Sequence, residues 1–238
     1  MNIFLAAREP NRQVCAECAV RQFSICAVLD RSELRDLEHL GRHAHYTSGE
    51  TVFAQEALMT SVYNMLEGVL RLYKLLPDGR RQIVGFALPG DFLGMAATSH
   101  HGFSADAIGS VSVCRIPGTS FSRFIEDRPH LLRRINELTA RELSQARDHM
   151  VLLGRRSAEE KVASFLVGWR NRLVQLRGPL NTVALPMSRQ DIADFLGLTI
   201  ETVSRTFTKL ERDGVIEILP GGVSLVDAAR AEALAAAL

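Results

Sequence analysis

Two hydrophobic periodicities divide the chain. From about residue 46 to residue 116, short apolar runs such as "ETVFAQ", "VYNMLEGVLRLYKLL" and "VSVCRIPG" alternate with glycine-containing turns. Asp78 and Gly79 lie between two such runs and are typical of a hairpin turn. Several short strands joined in this way predict an antiparallel β-roll.

After Pro129 the pattern becomes helical. Apolar and small residues recur every three or four positions over residues 129–154, which predicts one long amphipathic helix. An apolar helix face between two modules favours a dimer interface, although the same face could pack on its own β-roll. We expect the interface to comprise Leu132, Ile135, Thr139, Leu143, Ala146, Met150 and Leu153.

The C-terminal part predicts a helix-turn-helix with a wing. A further helix is expected over residues 158–176. Ser188 is placed to cap the next helix, which Gly197 ends, and Thr199 is placed to cap a following helix, which Gly214 ends. Two short helices joined by a glycine-containing turn form a helix-turn-helix. The runs "VIEI" and "VSLV" that follow predict a hairpin.

The second helix of this motif carries a polar face. Glu201, Ser204 and Arg205 stand at positions i, i+3 and i+4, so they project together. The first turns of this helix contact base edges, where Arg suits guanine, Glu suits cytosine and Ser suits either. We predict that these three residues read bases, although a solvated helix face is the alternative. The predicted phosphate contacts are Ser188, Arg189, Thr206 and Lys209.

Composition narrows the possibilities without supporting DNA binding on its own. The 238 residues are 47% hydrophobic and 23% charged, which is ordinary for a soluble protein, and the net charge is +1. DNA binding therefore rests on the motif. No apolar run reaches the roughly 20 residues of a membrane span, and the N-terminus lacks a signal peptide pattern, so we expect a cytoplasmic protein. The sequence shows no Ser/His/Asp order, no Walker loop and no HExxH motif, so we do not expect an enzyme.

The four cysteines form an uneven set. Cys15, Cys18 and Cys26 have the spacing C-x2-C-x7-C, and Cys114 follows far along the chain. In a reducing compartment, clustered cysteines indicate metal or redox chemistry before disulfides. A [4Fe–4S] cube takes four thiolates, and so does a structural zinc site, whose usual form has two CxxC pairs where this chain has one. The residues alone leave iron–sulfur, zinc and unligated cysteines open.

A β-roll followed by a long helix and a winged helix-turn-helix resembles the CRP/FNR family of bacterial transcription regulators, over about residues 15–225. The run "ETVSR" is similar to the recognition signature of the FNR branch. The resemblance implies an α+β fold and a homodimer that binds an inverted repeat of TTGAT-like half-sites and acts with RNA polymerase. It divides the chain into a cysteine-rich cluster-binding segment, a β-roll sensor domain, a dimerisation helix and a winged DNA-binding domain, at residues 1–30, 31–128, 129–154 and 155–238 respectively.

The resemblance also implies a cofactor. The FNR branch holds an oxygen-sensitive [4Fe–4S] cluster with an N-terminal cysteine group and one cysteine late in the roll, and "VCRIP" is similar to that second context. The long third gap resembles the FnrN/FixK-like subgroup. The implied ligands are Cys15, Cys18, Cys26 and Cys114, and the implied function is oxygen-responsive regulation. The alternative is a FixK-like regulator that binds no cluster and is controlled by its expression level.

Other ligands of the family fit less well. The cyclic-nucleotide branch carries Gly-Glu and Arg-Ser in the roll, where this chain has Gly90 with Asp91 and Phe103 with Ser104. A cyclic phosphate would lose its arginine partner, so we predict no cyclic nucleotide. The pair "HH" at residues 100–101 suggests haem ligands, but paired histidines in a polar loop are expected to be solvated.

Overall fold

The computed structural model describes residues 15–95 and 99–236. The first 14 residues of the predicted cysteine-rich segment therefore lie outside the described residues. The chain divides into two compact units, with the boundary between Glu142 and Leu143. This boundary falls inside the long helix, because the two ends of that helix belong to different cores.

The first unit is built on an antiparallel sheet of six strands. The sheet has the order β1-β6-β3-β4, with β2 paired to β6 and β5 paired to β3. Asp78 and Gly79 form the turn between β3 and β4, as predicted, and Gly79 has the left-handed φ of +83° that such a turn needs. The strands are β1 (Arg42–Tyr46), β2 (Thr51–Phe53), β3 (Ser61–Leu75), β4 (Arg81–Ala87), β5 (Phe92–Leu93) and β6 (Ser104–Pro117).

Short helices cover one end of this roll. Helix α1 begins with a capping box in which the Asp30 carboxylate accepts from the backbone amide of Glu33 while the Glu33 carboxylate accepts from Asp30. The described part of the cysteine-rich stretch contains three single-turn 3-10 helices. The helical segments are the 3-10 turns Cys15–Glu17, Arg21–Phe23 and Ile25–Val28, and helices α1 (Arg31–Leu40), α2 (Gly118–Glu126) and α3 (Pro129–Arg155).

Helix α3 confirms the predicted long helix. The residues predicted to form the dimer interface, here called the dimer stripe, include one wrong assignment. Ile135 is only 4% exposed and packs with Leu131 into the core of the first unit, because positions i and i+4 share the face that meets the roll. The first two turns of this helix therefore pack on the β-roll of their own chain, which was the alternative to a dimer interface. Further along, Leu143 and Met150 are exposed. The remaining stripe residues are exposed or partly buried: Leu132, Thr139, Ala146 and Leu153.

The second unit is the predicted winged helix-turn-helix. Helix α4 runs closely over the expected residues, and the expected hairpin is present as the last two strands of a three-stranded sheet in the order β7-β9-β8. Gly197 ends α5 in the left-handed region, as predicted. The elements are α4 (Ala158–Arg177), β7 (Val183–Ala184), α5 (Arg189–Leu196), α6 (Ile200–Arg212), β8 (Ile216–Leu219), β9 (Gly222–Leu225) and α7 (Ala228–Ala236). Across the described residues, no helix has the length and hydropathy needed to cross a membrane.

Candidate DNA-reading face and cysteine centre

Helix α6 presents the predicted base-reading residues to solvent. The Thr199 side chain accepts a hydrogen bond from the backbone amide of Thr202 at 3.2 Å, so the helix begins where the sequence predicted. The opposite face is buried through Val203, Phe207 and Leu210. This anchoring leaves one exposed row, which consists of Glu201, Ser204 and Arg205. The arrangement allows all three side chains to reach one partner surface.

The first two predicted phosphate contacts lie at the start of α5. The Ser188 hydroxyl donates to the Asp191 carboxylate at 2.7 Å and accepts from the Asp191 amide, so it caps the helix. The Arg189 guanidinium lies 3.3 Å from the centroid of the Phe207 ring, and burial lowers the pKa of this arginine. Its buried Nη1 has no hydrogen-bond partner among the described residues.

The prediction for Thr206 is wrong. Its side chain is buried, and its hydroxyl donates to the Thr202 carbonyl at 2.8 Å, so it is not presented to a phosphate. Residue 206 follows Val203 by three positions and therefore shares the buried face of the helix. Lys209 is half exposed and forms an ion pair with Glu159, so a phosphate would have to compete with that carboxylate.

All four cysteines line one small cavity in the first unit. Cys114 projects from β6, Cys15 and Cys26 lie in the first and third 3-10 turns, and Cys18 lies between the first two. All four are free thiols. The backbone amide of Cys15 donates to the Glu38 carboxylate at 3.3 Å, and that of Cys26 donates to the Ser24 hydroxyl at 3.1 Å. The first turn is thus tied to helix α1, and the third turn is capped by Ser24.

Burial keeps these thiols protonated when no metal is bound. Burial raises the pKa of Cys15 and Cys114 to about 12 and that of Cys26 to about 11, and the negative charge of neighbouring thiolates raises it further at each of these sites. The pKa of Cys18 is raised by the same burial. Such thiols are poor nucleophiles, whereas a bound metal centre would supply the positive charge that favours thiolates.

The four thiols are a donor set that either a [4Fe–4S] cluster or a zinc ion could use. Among residues 15–95 and 99–236, no group of three or more His, Cys, Asp or Glu side chains is placed to hold one metal ion. A tetrahedral zinc site has bonds of about 2.3 Å and so needs sulfurs roughly 3.8 Å apart. A [4Fe–4S] cluster would likewise be held by four thiolates, which Cys15, Cys18, Cys26 and Cys114 could supply.

The wall of the cavity contains residues that the sequence did not indicate. Besides apolar side chains, His43 and Asn64 line it, and both are register partners of Cys114 on the neighbouring strands. Gly41 packs directly on this cysteine, because a Cβ added there would lie 2.9 Å from the Cys114 sulfur. Strand pairing brings these residues together, and no sequence spacing signals it.

Two residues at the positions of the cyclic-nucleotide cassette, Asp91 and Ser104, form hydrogen bonds within the chain. The Ser104 hydroxyl accepts from the backbone amide of Gln55 at 2.9 Å, and the Asp91 carboxylate accepts from that of Leu88 at 2.8 Å. His101 is only 5% exposed and stacks on Phe53 at 4.0 Å, so the expectation that it is solvated is wrong. The absence of cyclic-nucleotide binding stays a prediction.

A capped two-helix motif with a wing, and an exposed polar row on its second helix, define a DNA-binding regulator. Comparison with known proteins agrees with this class. Residues 185–216 match the family model "Bacterial regulatory proteins, crp family", and residues 43–128 match "Cyclic nucleotide-binding domain". Together with the relatives described next, these matches show that the chain belongs to the CRP/FNR family of transcription regulators.

The chain is similar to known regulators of transcription and nitrogen fixation over nearly the whole length of both proteins. The chain is 70% identical to the nitrogen fixation regulation protein FixK of Bradyrhizobium diazoefficiens, over 96% of this chain and 97% of FixK. It is 60% identical to the transcriptional activatory protein AadR of Rhodopseudomonas palustris, over 92% of each chain. The solved structure of FixK2 from Bradyrhizobium japonicum has a TM-score of 0.77 at 37% identity, covering 83% of this chain and 98% of that one. The protein is thus a FixK-like, DNA-binding transcription regulator and not an enzyme.

Proposed function

We propose that this regulator responds to oxygen through a [4Fe–4S] cluster on Cys15, Cys18, Cys26 and Cys114. With the cluster bound, a homodimer binds an inverted repeat of TTGAT-like half-sites and acts with RNA polymerase. The observation that carries the proposal is that four cysteines from two distant parts of the chain line one cavity. Such convergence is what a centre held by four thiolates requires.

The rival assignments explain less of this geometry. Zinc also takes four thiolates, but its usual sequence form has two CxxC pairs where this chain has one. Disulfides would pair the sulfurs, yet all four are free thiols. Unligated cysteines would explain why the four thiols are partly buried, but not why they converge on one cavity from two distant parts of the chain. A single centre held by four thiolates accounts for the convergence of all four cysteines.

The cluster, when bound, supplies an oxygen-labile link between the N-terminal turns and the roll. The chain's own residues connect that link to helix α3. Cys15, Cys26 and Cys114 pack against the same core that buries Leu131 and Ile135 at the start of α3. Release of the ligands would loosen this core and so change the support of the helix that carries the proposed dimer stripe. A switch of this kind needs the ligated state to favour the dimer.

In this proposal the exposed row on α6 reads the bases of the operator. Arg205 suits a bidentate contact with guanine, Glu201 accepts from a cytosine amino group, and Ser204 adjusts to either neighbour. Ser188 and Arg189 at the start of α5 contact phosphates and so set the register of the helix in the groove. Two such helices in a symmetric dimer would read half-sites about one turn of DNA apart.

Anaerobic purification tests the proposal. We expect about four iron and four sulfide per chain with little zinc, together with a marked loss of operator affinity after exposure to air. Stoichiometric zinc without iron would contradict the cluster. A metal-free protein whose operator affinity is the same in air and under nitrogen would instead support the FixK-like alternative without a cluster. The lack of a preassembled ion site among the described residues makes that alternative the one to exclude.

A further inference from the structure

Glu159 forms an ion pair with a cation of the DNA-reading helix. Its carboxylate meets the ammonium group of Lys209, which follows Arg205 by four residues on α6 and so lies on the same face as the exposed row. Glu159 itself belongs to the first turn of α4. The Glu159 side chain is 24% exposed and that of Lys209 is 48% exposed, so the pair lies at the protein surface.

The cap of α4 is formed by other residues. The Ser157 hydroxyl accepts a hydrogen bond from the backbone amide of Glu160, and the Glu160 carboxylate accepts one from the backbone amide of Ser157 at 2.7 Å. These two residues complete a capping box. Glu159 takes no part in that box, and its carboxylate is instead directed to Lys209 across the contact between α4 and α6. An exposed ion pair of this kind contributes little to folding stability.

Net positive charge is scarce in the DNA-binding part of the chain. Residues 151–238 contain 11 Lys and Arg and 10 Asp and Glu, so their bulk charge adds little attraction for DNA. Each lysine or arginine that neutralises a phosphate releases a counterion, and this release supplies the sequence-independent part of the affinity. A lysine that a carboxylate already neutralises releases no counterion. Pairing with Glu159 therefore withdraws Lys209 from the cations that can bind phosphates.

We propose that Glu159 limits the sequence-independent affinity of this regulator for DNA by neutralising Lys209. This inference extends the DNA-binding part of the proposed function and does not depend on the cluster. Repulsion between the Glu159 carboxylate and nearby phosphates acts in the same direction. Because phosphates carry no sequence information, the limit applies equally to the operator and to unrelated DNA. Glu159 thus sets the level of affinity, whereas Arg205 sets the base preference.

The test measures how DNA affinity depends on salt. Full-length wild type and Glu159→Gln, both prepared anaerobically with iron, are titrated with an inverted-repeat TTGAT operator and with an unrelated duplex at several salt concentrations. In Glu159→Gln we expect the plot of log association constant against log salt to steepen by about 0.9 for each chain on the DNA. At ~0.1 M salt this corresponds to roughly eightfold tighter binding per chain on both duplexes. Adding Lys209→Gln to this variant should restore the wild-type slope.

Glu232→Gln is the matched control. Glu232 pairs with Arg170 of α4 at 2.7 Å, but from α7 rather than from the DNA-reading helix. The substitution removes the same unit of negative charge, and we expect it to leave the salt slope at the wild-type value. An equal gain in Glu232→Gln would mean that net charge alone controls the affinity, which would overturn the proposal.

Two further results would contradict the role of Glu159. Weaker binding by Glu159→Gln would mean that Glu159 holds Lys209 in place for a phosphate, and an unchanged slope would mean that Lys209 meets no phosphate. Glu159→Ala repeats the measurement if Glu159→Gln unfolds at a lower urea concentration than the wild type. If the wild type does not prefer the operator, the proposed function fails, while the slopes on the unrelated duplex still decide the role of Glu159.

Discussion

Gly41 offers a direct test of how tightly Cys114 is held. Its φ of −79° and ψ of 150° are extended values that alanine adopts without strain. The only severe obstacle to a side chain is the Cys114 sulfur, 2.9 Å from the position a Cβ would take. The next nearest atom, the Leu37 carbonyl oxygen, lies 3.4 Å away. Gly41→Ala therefore pushes on one proposed cluster ligand and on little else.

The expected magnitude follows from that distance. Carbon atoms in comfortable contact stand about 3.5–4.0 Å apart, so the sulfur must retreat by at least roughly 0.6 Å. Overpacking of this size costs about 1–3 kcal/mol. We expect the low end, about 1 kcal/mol in the metal-free protein, because a short cysteine side chain turns about a single bond. Cluster occupancy should fall further, since a displaced ligand weakens metal binding about 10–100-fold.

The assay is urea unfolding of metal-free, reduced protein at one fixed concentration, combined with iron analysis after anaerobic reconstitution. Gly102→Ala is the matched control, because nothing lies within 4 Å of a Cβ there and its unfolding free energy should change by less than about 0.5 kcal/mol. A double-mutant cycle with Cys114→Ala isolates the contact. Removing the sulfur should abolish the cost of Gly41→Ala.

Two results would refute this reasoning. One is that Gly41→Ala lowers stability equally with and without the Cys114 sulfur, which would place the cost elsewhere. The other is full iron content in Gly41→Ala, which would mean that the sulfur does not bind iron from the place it occupies.

The remaining predictions concern DNA reading, the cluster and the dimer. Arg205→Ala should weaken operator binding by about 1–3 kcal/mol and relax the preference at one guanine; quantitative band-shift titration of operator variants would show unchanged specificity if Arg205 reads no base. Cys114→Ala should abolish anaerobic cluster assembly while circular dichroism stays native, and retention of the cluster would mean a different fourth ligand. Leu143→Asp should shift the protein toward monomer in sedimentation analysis without loss of unfolding free energy per chain, because Leu143 is 51% exposed. Ile135→Ala should instead destabilise the first unit by about 2–5 kcal/mol, and a purely dimeric defect there would contradict its burial.

Local chemistry made the DNA-binding half predictable. Ser188, Thr199 and Gly197 act within three or four residues of their own positions, through caps and a left-handed turn, so their roles can be read along the chain. The exposed row on α6 followed because an apolar face at helical spacing determines the opposite face. The prediction that Thr206 contacts a phosphate was wrong, because a small polar residue with an intrahelical hydrogen bond can lie on the buried face.

The sequence by itself determined the order of the elements, the caps of α5 and α6, the long helix and the four cysteines, since each depends on residues close together in the chain. Only the tertiary structure decided which distant residues meet. The pairing of β1, β6 and β3 sets Cys114 between His43 and Asn64, and the end of α1 sets Gly41 against its sulfur. The register between paired strands depends on how whole faces of the sheet pack. The neighbours of Cys114 could therefore not be predicted from any local pattern.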